Sequence, residues 1–76
     1  MQTFETVRRL VQEMKDVPDA SITPESTPQQ LHLDALDVAE LIMAVEEEFD
    51  ILITDEDAVK TLRDLVARVD AQMQVA

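Results

Sequence analysis

The chain has no glycine, no cysteine, no tryptophan and no tyrosine, and one histidine, His32. Each absence removes a class of chemistry. Without glycine there is no glycine-rich phosphate loop and little scope for tight hairpins. Without cysteine, disulfides and thiolate zinc sites are excluded. One histidine argues against a histidine-ligated metal centre or a histidine-based catalytic triad, so no catalytic residue and no metal ligand is assigned. Positive charge is scarce too: six Lys and Arg stand against seventeen Asp and Glu, for a net charge of -11. Such a surface repels nucleic acid and anionic membrane and favours basic partner surfaces. No apolar run reaches the length of a membrane span, and no signal peptide opens the chain. The expectation is a soluble, cytoplasmic, monomeric protein without enzymatic activity.

What is present favours helix. Residues 1–76 read as one domain, and 46% of them are apolar. A chain this short buries only about 60% of its unfolded surface, so its core is thin. Leu, Ala, Val, Glu and Gln dominate, which favours an all-α fold. From Thr3 to Asp16, Phe4, Val7, Leu10, Val11 and Met14 form a helical stripe, with Arg8, Arg9 and Lys15 off it. Val17-Pro18-Asp19 ends that helix. A long connection follows to Leu33, with Ile22, Leu31 and Leu33 as core anchors. Thr23-Pro24-Glu25 could start one short turn within it.

The second helix is expected from Leu36 to Phe49, with Asp34 as N-cap and Asp37 completing a weak capping box. Turning about 100° per residue puts Val38, Leu41, Ile42, Val45 and Phe49 on one face. The opposite face carries Leu36, Glu40, Met43 and Glu47, two large apolar residues among acids. Ile51 and Ile53 continue as an apolar link. Thr54-Asp55-Glu56-Asp57 reads as a capping box opening a short third helix. Thr61-Leu62-Arg63-Asp64 repeats the signal and opens the last helix, with Leu62, Leu65, Val66, Val69 and Met73 on its stripe. Acid is concentrated along this stretch. No Lys or Arg occurs from Asp16 to Val59, and ten of the seventeen acids lie between Asp34 and Asp57.

In this setting Leu33-Asp34-Ala35-Leu36-Asp37 resembles the Asp-Ser-Leu signature of acyl carrier proteins, with alanine in place of serine. Glu40-Leu41-Ile42-Met43-Ala44-Val45-Glu46-Glu47-Glu48-Phe49-Asp50, Ile53-Thr54-Asp55-Glu56 and Thr61-Leu62-Arg63-Asp64-Leu65 follow the family's pattern in order. The resemblance implies a small four-helix bundle: three main helices, a short third helix and a long first loop. It implies a non-enzymatic carrier of acyl intermediates, held as phosphopantetheine thioesters, in fatty acid or polyketide biosynthesis. By resemblance Ala35 is the attachment position, and Asp34 beside it lies near the metal-bound phosphate during loading. Leu36, Asp37, Glu40, Met43, Glu46 and Glu47 fall where the family meets basic partners, a phosphopantetheinyl transferase and acyl-chain synthase enzymes. With serine at position 35 the cofactor would be 4'-phosphopantetheine; alanine has no hydroxyl to receive it.

Three accounts of the alanine stay open: an engineered serine-to-alanine change, a natural loss of attachment with a retained binding role, and coincidence. His32 stands where the family often has glycine, which would alter the loop before the helix. Ser21 and Ser26 carry hydroxyls in the first loop, away from any matching motif. Calcium binding of the EF-hand type is excluded, since the loop's aspartate spacing and glycine are both missing; weak, delocalised cation binding stays plausible. Two rival functions are a regulatory or scaffolding module that uses the same acidic helix to bind a basic enzyme, and an acidic mimic of nucleic acid. The Leu36 and Met43 pair favours protein docking over mimicry.

Overall fold

The computed structural model describes residues 2–54 and 56–73. Three helices carry the fold: α1 (Gln2–Met14), α2 (Ala35–Phe49) and α3 (Leu62–Met73). Single 3-10 turns at Asp19–Ser21 and Glu56–Ala58 lie in the connections. No strand occurs among the described residues. The fold is all-α as expected, and the expected third helix is the one turn Glu56–Ala58. The capping box proposed to start that turn runs through Asp55, which lies outside the described residues.

Helix α1 packs against both α2 and α3. Val7, Val11, Val45 and Val69, drawn from all three helices, are each fully enclosed. Phe4 and Met14 pack at the edge of that core. The Arg8 guanidinium lies 5.8 Å from the Phe4 ring centroid and covers its outer face. Next to Phe4, Thr3 Oγ1 donates to Asp70 Oδ1 at 2.8 Å, tying the start of α1 to the end of α3. Met73, expected on the core stripe, is 58% exposed. The stripe loses its cover there because α1 begins opposite Asp70, a turn short of Met73. Helix α1 also stops earlier than Asp16. Gln12 Nε2 donates to Val17 O at 3.3 Å and to the Asp19 carboxylate, turning the chain at Met14.

The long first connection is ordered by hydrogen bonds. Ile22, Leu31 and Leu33 are buried, as expected. Thr23-Pro24-Glu25 forms the single turn expected of it, closed by Ser26 N–H on Thr23 O at 3.0 Å, and goes no further as a helix. The 3-10 turn comes earlier, directly after Pro18. Ser26 is the one buried polar residue of the described chain, 4% exposed. Its Oγ accepts the Thr23 N–H at 2.9 Å and lies 3.2 Å from Ser21 O, to which it donates.

The same loop caps α3. A helix start leaves four N–H groups without partners inside the helix. Here Thr61 N–H donates to Asp64 Oδ2 (3.1 Å) and Asp64 N–H to Thr61 Oγ1 (3.3 Å), the reciprocal box read from the sequence. Leu62 N–H donates to Ser26 O at 3.1 Å and Arg63 N–H to Pro24 O at 2.7 Å. Glu25 adds an exposed ion pair with Arg63.

Removing the buried hydroxyl leaves a loop N–H without its acceptor. Ser26→Ala should lower unfolding free energy by about 1–3 kcal/mol in urea titration. Ser21→Ala, an exposed change, should stay within about 0.5 kcal/mol of the parent. Equal behaviour of the two variants would contradict the role given to Ser26.

Candidate functional site

The approach to α2 is a single helical turn. Thr27 N–H donates to Gln30 Oε1 (3.0 Å), and Gln30 N–H donates to Thr27 Oγ1 (3.3 Å). This is a capping box with Pro28 at the first helical position, a Thr-x-x-Gln signal overlooked in the sequence. The turn ends as Leu33 N–H reaches back to Pro28 O at 2.9 Å. His32, just before, takes a left-handed conformation with φ 60°. That is the geometry of a Schellman closure, in which glycine is the usual occupant. Histidine is among the residues enriched there, and it bears a steric cost that glycine avoids.

Asp34 then caps α2. Its Oδ1 accepts the Asp37 N–H at 2.8 Å, and its own N–H donates to Asp37 Oδ2 at 3.2 Å. The expected weak box is therefore complete. Asp37 Oδ2 also meets Lys15 Nζ at 3.2 Å, linking the end of α1 to the start of α2. The Asp34 N–H, with help from Lys15, holds the Asp37 carboxyl below its usual range. At α3 the Lys60 and Thr61 N–H groups do the same to Asp64.

Ala35 occupies the first position of α2 and is exposed. The helix dipole and free N–H groups favour an anion at such a place, while the carboxylates of Asp34 and Asp37 oppose one. Ala35 presents a methyl group, with no oxygen for a phosphodiester. Ser26 cannot substitute, because its hydroxyl is buried and bonded. Ser21 lies on the separate Asp19–Ser21 turn.

Beyond Ala35 the face of α2 divides by function. Leu36 is 67% and Met43 59% exposed; Glu40 is exposed between them and Glu47 one turn beyond Met43. Neither of these two glutamates has an ion-pair or hydrogen-bond partner among the described residues. Glu46, to which the family resemblance gives a place in partner contact, is half-buried. Its Oε2 accepts the Ile53 N–H at 2.8 Å, so one oxygen serves the fold. Glu48 pairs instead with Arg9 of α1 at 3.4 Å. The opposite face of α2 buries Leu41, Ile42 and Val45.

Helix α2 ends as its approach does. Asp50 is left-handed, φ 54°, and Ile51 N–H returns to Glu46 O at 3.1 Å. The link then alternates: Ile51 half-buried, Leu52 exposed, Ile53 buried. Leu52 was overlooked in the sequence reading, although a two-residue alternation against Ile53 could have placed it outward. Beneath the start of α2, Leu33, Val38, Leu41, Ile42, Leu62 and Leu65 line a small apolar cavity of about 20 Å³, measured as the space open to the centre of a water-sized sphere. That is room for about one water. Among the described residues no cluster of three His, Asp or Glu side chains could hold a metal ion, and no helix is long and apolar enough to cross a membrane.

Known proteins carry the same pattern. The family model described as a phosphopantetheine attachment site matches residues 5–69. The acyl carrier protein of Helicobacter hepaticus is 46% identical over 74 residues, covering 93% of this chain and 97% of that protein.

Two measurements test this geometry. His32→Gly removes a left-handed steric cost of about 1–2 kcal/mol and adds unfolded-state freedom costing about 0.5–1 kcal/mol. The variant should be more stable by roughly 0.5–1 kcal/mol in urea unfolding; a less stable variant would count against the strain. Asp37 and Asp64 have folded pKa values below the ordinary 3.8. Their contribution to stability is present above that value and is lost as pH falls below it, through the depressed folded values. Urea midpoints taken from about pH 5 to about pH 2 should fall in the parent and fall less in Asp37→Asn and Asp64→Asn. Parallel curves would reject the assignment.

Proposed function

The chain belongs to the acyl carrier protein family, and we propose that it keeps that family's docking surface while its attachment position is closed by Ala35. The family's members are carriers and not enzymes. The family's role, which serine at position 35 would permit, is transport of acyl intermediates as phosphopantetheine thioesters among enzymes of fatty acid or polyketide biosynthesis in the cytoplasm. Phosphopantetheine supplies the thiol for that role. Residue 35 is presented where such a group belongs, at an exposed helix start, but its side chain cannot form the ester. In this form the chain docks and carries nothing.

The observation that carries the reading is the exposed row Leu36, Glu40, Met43 and Glu47, which begins one residue after Ala35. Carboxylates without internal partners steer a basic surface into contact and speed encounter. Leu36 and Met43 supply apolar anchors, and methionine adapts to more than one partner. Asp34 and Asp37 hold each other in the cap, so their first task is to present residue 35. Glu46 contributes its remaining oxygen. The docking partners are a phosphopantetheinyl transferase and acyl-chain synthase enzymes with basic surfaces, and the chain meets them as a monomer.

Ala35→Ser, incubated with coenzyme A and a phosphopantetheinyl transferase, should gain the mass of one phosphopantetheine, while the parent chain stays unmodified. A serine variant that binds the transferase but stays unmodified would point instead to a regulatory or scaffolding module. Modification of the parent would place the attachment elsewhere and overturn the assignment of Ala35.

A further inference from the structure

Asp37, which the family resemblance assigns to partner contact, is paired with a cation of its own chain. Lys15 Nζ lies 3.2 Å from Asp37 Oδ2, the oxygen that also accepts the Asp34 N–H. The Asp37 side chain is 18% exposed and that of Lys15 39%, so the pair is partly withdrawn from water and from screening by salt. Lys15 is held from behind. It directly follows α1; its N–H donates to Val11 O and its carbonyl accepts the Val17 N–H, both at 2.9 Å. The side chain therefore leaves for the start of α2 from a fixed point. It is also the last basic residue before a stretch to Val59 that holds no Lys or Arg. The cap of α2 does not require it. Asp34 and Asp37 complete their reciprocal box with backbone N–H groups alone. Lys15 is an addition to a finished cap, and what it adds is occupation of a carboxylate.

We propose that Lys15 is an internal competitor for the basic side chains of a partner: it occupies Asp37, weakens partners that bind through that carboxylate, and leaves Glu40 and Glu47 to carry recognition. The inference rests on the docking reading above and adds to it a residue of this chain that acts against docking. The physical reason is occupancy and charge. A partner arginine binds a carboxylate best through both oxygens at once, and Asp37 Oδ2 already holds the Asp34 N–H and the Lys15 ammonium. A partner cation must either displace Lys15 or settle beside it, and like charges placed together work against the wrong partner. Glu40, one turn further along α2, has no such cation among the described residues. Lys15 thus acts on specificity, by removing one of the acids nearest residue 35 from the set offered to a partner.

Calorimetric titration of the parent chain with a phosphopantetheinyl transferase tests this. Lys15→Gln, and Lys15→Met with its aliphatic stem retained, should lower Kd roughly three- to tenfold. Lys15→Arg keeps the charge and should retain the parent Kd. In an Asp37→Asn background, whose amide oxygen still accepts the Asp34 N–H, Lys15→Gln should change Kd by less than about twofold. Arg9→Gln, which removes one charge from the Glu48 pair, should do the same. An unchanged or raised Kd in both neutral Lys15 variants makes the lysine a structural tie only and overturns the proposal. An equal fall with and without Asp37, or an equal fall in Arg9→Gln, assigns the effect to net charge and overturns it too. Glu40→Gln and Glu47→Gln separate the two levels. If they raise Kd and the Lys15 variants fail to lower it, internal competition alone fails; if neither glutamate variant raises Kd, the docking reading fails and takes the proposal with it. The cap is complete without Lys15, so its variants should remain folded at the titration temperature by circular dichroism.

Discussion

Four backbone N–H groups at the start of α3 need acceptors, and their partners decide how the rest of the chain is arranged. Thr61 and Asp64 satisfy two of them within the helix's own first turn. The other two reach across to Pro24 O and Ser26 O in the first connection. A loop of this length would otherwise lose much conformational entropy with little return. Bonded to a helix end, and folded around the Ser26 hydroxyl, it becomes a fixed strap. Leu31 and Leu33 enter the core from that strap, and Asp34 follows Leu33 directly. The position of residue 35 therefore depends on contacts made well away from it.

A chain without glycine meets a particular difficulty at α2. The turn before it and the helix itself both close through a left-handed residue, His32 at one end and Asp50 at the other. Both closures use the same long return bond, Leu33 to Pro28 and Ile51 to Glu46. The helix is thus bounded by two mildly strained residues and directed outward at its start. Its acids then fall into two groups. Asp34, Asp37, Glu46 and Glu48 are engaged with backbone N–H groups, Lys15 or Arg9. Glu40 and Glu47 are left to the solvent. Charge is thus left without an internal partner on Glu40 and Glu47 and is used internally by the other acids of the helix.

The chemistry of the site turns on one missing oxygen. The helix start, the capping acids and the adjoining apolar and acidic row are in place around Ala35, and the two serines of the first loop are removed from it. On the proposed reading, an exposed row beside a side chain without a nucleophile would give a protein that is recognised without being loaded.

Much of this was legible in the residues. Apolar spacing of three and four located the helices, because a helix packed on one side must repeat its apolar face at that period. The boxes at Asp34 and Thr61 were legible because capping is local, set by residues three apart. Exposure of Leu36 and Met43 followed from their placement opposite Leu41, Ile42 and Val45. Other features needed the third dimension. The acceptors for α3 lie more than thirty residues before it, so no local pattern could announce them. Met73 matched the apolar stripe but lost its cover where α1 begins. Glu46 looked like a surface acid until the Ile53 N–H came within reach, and Leu52 became an outward residue once Ile53 and Gln72 fixed the backbone around it. The sequence by itself determined the helices, their caps and the absence of a hydroxyl at position 35, since these are matters of period and composition. Which polar groups were left without an internal partner was decided only by the tertiary structure, because that depends on which donors and acceptors distant segments bring together.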